Sequence, residues 1–125
     1  MDAQTRFTER IQDLSERVDK HKESFEPPAN PPAEEQAMEI LREGAGPTIA
    51  LFVEARTGRH MVHFPPEPYE TLEETMNDWL DLYAACYGTD LNADFTIREA
   101  AELLVDTKNI KDVAELLTKV PADQS

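Results

Sequence analysis

Three histidines, one cysteine and a D-x-N-x-D stretch are the places in this 125-residue chain whose side chains could hold a metal or act on a substrate. His60 and His63 fall in a segment that reads as a strand, where residues three apart point to opposite faces. They cannot then share one ion, and zinc takes three or four convergent ligands. His63 reads instead as a surface partner of Glu54. The stretch "DLNADFT", Asp90 to Thr96, opens like a calcium loop, which needs glycine at its sixth position and a bidentate glutamate at its twelfth. Phe95 and Ala101 stand there, so the stretch reads as a turn leading into a helix cap. Cys86, in "YAACYG", sits late in a helix with neither a cation nor a helix N-terminus to lower its pKa, and reads as a buried structural thiol. "GAG" and "RTGR" lack the lysine and following helix of a phosphate-binding loop. Carboxylates occur throughout and single out no catalytic pair. No catalytic, cofactor-binding or metal-ligating residue is assigned, and no cofactor is expected.

The clearest spacing points to contact between proteins. Phe7, Ile11, Leu14, Val18, His21 and Phe25 recur at alternating steps of four and three, a heptad seam along an amphipathic helix. "EPPANPP" then forbids helix and favours an extended spacer. The expected organisation is a helical arm over 1–26, a proline-rich spacer over 27–32, a domain over 33–121 and a frayed tail over 122–125. The seam can fold back on its own domain, or pair with its copy or a partner. A helix this short needs support either way. His21 on the seam would weaken pairing once protonated.

Behind these positions stand the elements that must hold them. "PAEEQAMEILREG" reads as a helix that starts at Pro32, carries its acids at the positive end and stops at Gly44. "TIALFVEARTGRHMVHF", Thr48 to Phe64, reads as two strands around a Thr57-Gly58 turn. One face carries Ile49, Leu51, Val53, Val62 and Phe64, and the other carries Ala50, Phe52 and Met61. Thr71 with Glu74 forms a capping box ahead of the stripe Leu72, Met76, Trp79, Leu80, Tyr83 and Tyr87, and Gly88 stops that helix. A second box, Thr96 with Glu99, and a cap at Asn109 open the last helices. The expected fold class is α+β, with five helices packed around a single β-hairpin. A lone hairpin is marginal without cover, so Phe52 and Met61, or the free strand edge, are expected to meet a second chain in a homodimer.

Residues 96–120, opening with "REAAELL", resemble a helix-turn-helix, with Lys108, Lys111 and Lys119 as candidate phosphate contacts. That motif favours glycine four positions after its alanine. With Ala101 as the alanine, Val105 stands there, and the second helix offers Asp112 and Glu115 beside its lysines.

Twenty-six acids against twelve bases give a net charge of −14, and thirteen of those acids but only three bases lie in residues 27–95. Many acids with few lysines resemble proteins of salt-rich cytoplasms such as those of haloarchaea, in which dense carboxylates hold water and cations and repel one another at low ionic strength. One cysteine excludes an intrachain disulfide, the charged N-terminus is not a secretory signal, and no apolar run is long enough to span a bilayer. The chain is therefore expected to be cytoplasmic, with no membrane partner. Three functions follow as expectations. The first is a non-enzymatic interaction or regulatory protein, homodimeric and binding an unidentified protein through Phe7, Ile11, Leu14, Val18, Phe25, Phe52 and Met61. The second is a transcription regulator that uses residues 96–120. The third is an enzyme or ligand binder with a pocket near Trp79, Tyr83, Arg59 and His60.

Overall fold

The apolar run after Gly46 is a helix, not a strand. The computed structural model describes residues 3–57 and 61–121, and among these there is no strand. The chain runs through α1 (Ala3–Ser24), α2 (Glu34–Ile40), a π-helical turn (Leu41–Ala45), α3 (Gly46–Thr57), α4 (Pro66–Ala85), α5 (Ile97–Thr107) and α6 (Ile110–Thr118). This overturns the expected α+β class and its hairpin; the architecture is all-helical. Gly58 of the expected turn, with Arg59 and His60, lies outside the described residues.

Sequence and packing together explain the helix. Ile49, Leu51 and Val53 alternate as a strand would, yet Thr48, Ile49, Leu51, Phe52 and Ala55 also fit a helical face, and these five are the ones buried. A helix pairs its own backbone, whereas a lone hairpin leaves a row of unmatched N–H and C=O groups. Pro47 sits in the first turn of α3, where its fixed φ suits a helix. Proline has no N–H to donate to the preceding turn. Arg17 Nη1 donates to the Glu43 carbonyl of that turn at 3.0 Å.

The π-helical turn brings the backbone against the core. Gly44 lies on the indole face of Trp79, a residue with no exposed surface. The Thr48 hydroxyl donates to the Gly44 carbonyl at 2.7 Å and keeps that oxygen satisfied in a buried setting. His21 meets Trp79 in a T-shaped contact, with ring centroids 5.0 Å apart. The indole Nε1–H finds no acceptor among the described residues.

α4 is the central rod, and α1 lies along it. Ile11, Leu14 and Val18 of the heptad seam are buried in the chain's own core, and Phe7 and Phe25 pack half-buried at either end. Polar clamps fix the outer face of α1. Arg10 pairs with Glu54 at 2.9 Å while stacking on Phe7, and Lys22 reaches Asp78 at 3.4 Å. The seam is thus spent on its own domain, and residues 27–32 return the chain so that Ala33 N–H reaches the Cys86 carbonyl.

α4 starts at Pro66, earlier than the expected box at Thr71, whose hydroxyl instead donates to the Glu67 carbonyl. Three polar residues spaced by four along α4 strap the connector to α5. Glu73 Oε2 accepts from Ile97 N–H, Asn77 both accepts from and donates to the backbone of Phe95, and Asp81 Oδ1 accepts from Ala93 N–H. The D-x-N-x-D stretch is therefore a strapped connector. Burial raises the Asp81 pKa above the ordinary 3.8; the Ala93 N–H opposes this, and Asp78 reinforces it. A carboxyl with a raised folded-state value adds stability below its unfolded value and loses it as pH rises through the folded one. Asp81→Asn, which keeps the acceptor oxygen, is therefore expected to melt higher than wild type at neutral pH. The gap should close as pH falls below 3.8, measured by thermal melts across pH.

The Thr96–Glu99 capping box and the Asn109 cap are both present. Tyr83 Oη donates to the Val120 carbonyl at 2.7 Å and ties the end of α6 to α4. Cys86 is fully buried, and desolvation pushes its thiol up to about 11.

Candidate functional site

With the core closed, an open groove of about 620 Å³ lies on the surface between α3 and α5. α3 contributes Phe52, Val53, Arg56 and Thr57 to it. α5 contributes Arg98, Ala101, Glu102, Val105 and Asp106, spaced three, one, three and one, which is one face of a helix. Ile97 and Ala100 of the same helix point into the core, so the two faces of α5 are differently employed.

The floor is apolar. Phe52 and Ala101 are buried there, while Val105 stands 53% exposed beside them. The guanidinium of Arg56 lies 5.6 Å from the centroid of the Phe52 ring, which also makes a T-shaped contact with Tyr69, ring centroids 6.1 Å apart. Phe52, Arg56 and Arg98 also line a smaller adjoining hollow with His63 and Tyr69. Both arginines therefore mark one end of the groove, and Glu102 and Asp106 run away from it along α5. Among the described residues the ion pairs are Arg10–Glu54 and Lys22–Asp78, neither of which involves the groove.

The interaction residues read from the sequence part company here. Phe52 forms the groove floor, Met61 is 54% exposed and does not line it, and Ile11, Leu14 and Val18 lie inside the core. Lys108 and Lys119 take left-handed backbone angles, φ 55° and 59°, as the residues that end α5 and α6. Lys111 is exposed in the first turn of α6, and Lys119 shares a shallow depression with Asp112, Glu115 and Leu116. Trp79 and Tyr83 are wholly buried, and Arg59 and His60, read with them as a pocket, lie outside the described residues. Sequence reasoning gave no role to Arg56, Arg98, Glu102 and Asp106, and weighed Val105 only against the helix-turn-helix pattern. For the residues of α5 the signal was the second stripe of "REAAELLVD", which the helix-turn-helix resemblance absorbed, and Arg56 lay in the stretch read as a hairpin.

Among the described residues no group of three or more His, Cys, Asp or Glu is placed to hold a metal, and no helix is long and apolar enough to cross a membrane. No curated protein and no solved structure matches the chain. One family model does match, over residues 5–122, and its description is Domain of unknown function (DUF8055). Since that match spans nearly the whole chain, the chain belongs to the DUF8055 family.

Proposed function

We propose that this chain is a non-enzymatic protein-interaction domain of a salt-rich cytoplasm, regulatory in the sense that it acts by binding. Its working surface is the α3–α5 groove, and its ligand is an amphipathic protein helix bearing both signs of charge. The observation that carries the reading is the groove's make-up: an apolar floor with Val105 standing out of it, flanked by arginines at one end and carboxylates along the other. An apolar centre with a charged rim is the anatomy of protein interfaces, and a trough between two helices accepts the ridge of a third. The net charge of −14 supports the salt-rich setting, because such a surface repels itself until salt screens it. Recognition of DNA by α5 and α6 has less support, since Lys111 and Lys119 share their surface with Asp112 and Glu115.

A photo-crosslinking residue placed at Val105 in the native cell tests the assignment, with one at the exposed Lys20 of α1 as control. Protein-sized adducts from position 105 and none from position 20 are expected. Equal adducts from both positions, or none from 105, would remove the groove as the working surface.

A further inference from the structure

We infer that the helix this groove receives is α5 of a second copy of the chain, the two copies of α5 lying antiparallel across a two-fold axis near Glu102. The inference rests on the groove's being a protein-docking surface and adds the identity of the occupant. Charge order along α5 selects this occupant. Along the groove face of α5, Arg98 comes first and Glu102 and Asp106 follow, so the cation and the last anion stand about 12 Å apart at the rise of a helix. Turning a copy end for end about the middle of this stripe sets Arg98 of each molecule against Asp106 of the other. An isologous contact requires just this: residue i meets j, and j meets i.

The remaining groups fit the same arrangement. Glu102 would meet its own counterpart near the axis, which like charges oppose. Arg56, reaching in from α3 at the Arg98 end, supplies the compensating cation. Ala101, the smallest side chain of the stripe, leaves room beside the axis for the second copy's Val105, the exposed apolar group that most needs cover there. The groove as a whole carries no net charge in a chain of −14, with Arg56 and Arg98 matched by Glu102 and Asp106. It is thus a face on which two such acidic molecules can approach without a net local charge to oppose them. α1 takes no part, since its seam is already buried.

Sedimentation equilibrium of the full chain tests this in potassium chloride on the order of 1 M, the salt-rich setting proposed for it, where distant charges are screened and partly buried pairs in contact much less so. Wild type is expected to dimerise reversibly. Arg98→Glu and Asp106→Arg are each expected to weaken the dimer by roughly tenfold or more, because each sets two like-charged pairs in contact. An equimolar mixture of the two variants is expected to recover wild-type association, since both contacts then join opposite charges. A merely structural role for either residue gives no such recovery. Wild type that stays monomeric at every concentration overturns the inference. So does a dimer indifferent to both substitutions, or a mixture that fails to recover. A monomeric chain that still forms an adduct of another mass at Val105 rejects the second copy but keeps the docking groove; absence of any adduct there rejects the groove itself.

Discussion

Replacing Gly44 by alanine is expected to lower the melting temperature by roughly 10 °C, about 3 kcal/mol for a domain of this size. The site is helical and buried, where alanine would ordinarily gain up to about 1 kcal/mol over glycine from backbone entropy. The added methyl would instead overlap Cδ2, Cε2 and Cε3 of the Trp79 indole. Neither group can step aside. Trp79 has no exposed surface, with His21 packed against it, and the Gly44 carbonyl is held by the Thr48 hydroxyl. The π-helical turn is thus matched to the ring: it brings a backbone with no side chain onto an aromatic face. A melting series checks this, and adding Trp79→Phe separates the causes. Relief of a clash predicts that the double variant loses less than the sum of the two single losses, a coupling on the order of 1 kcal/mol or more. An unchanged melting temperature for Gly44→Ala would show that the turn does not sit on the ring.

The second large effect concerns α1. Ile11 is 1% exposed and Val18 equally so, both in the core that α4 centres. Ile11→Ala is expected to cost about 3 kcal/mol, the transfer cost of the lost methyl groups plus the cavity they leave. The loss appears as a lower urea midpoint, equal at every protein concentration, because no second chain fills the site. A free arm that pairs with its copy predicts something else: an unchanged domain midpoint with weaker self-association. The exposed neighbour Asp13 on the same helix is the control, and Asp13→Ala should move the midpoint by no more than about 0.5 kcal/mol.

Several parts of the fold were legible because the signal was local. The heptad seam marked the buried face of α1, Thr96 with Glu99 and Asn109 marked two helix starts, and Gly88, at φ 76°, ends the turn after α4. The segment 46–57 was not legible for a physical reason. A short apolar run rich in Thr, Ile and Val satisfies the strand and buried-helix patterns at once, and only the lack of any pairing partner elsewhere could decide between them. Thr71 misled in a related way. The box at 71–74 is real chemistry in the sequence, but Pro65 and Pro66 start the helix earlier and turn that hydroxyl to a mid-helix carbonyl. The strap from Glu73, Asn77 and Asp81 was written at intervals of four, yet its partners are backbone groups of the connector and the start of α5, 24, 18 and 12 residues on, which no periodicity reveals. The groove was hidden because its residues come from two helices, one of which read as a strand.

One chain closes its own core, with α1 as a wall of it. Native-state hydrogen exchange tests that claim most directly. Backbone amides of Ile11, Leu14 and Val18 should exchange only by global opening, at the same free energy as those of Met76 and Leu80 in α4. Exchange of the α1 amides by local opening, while α4 stays fully protected, would contradict it.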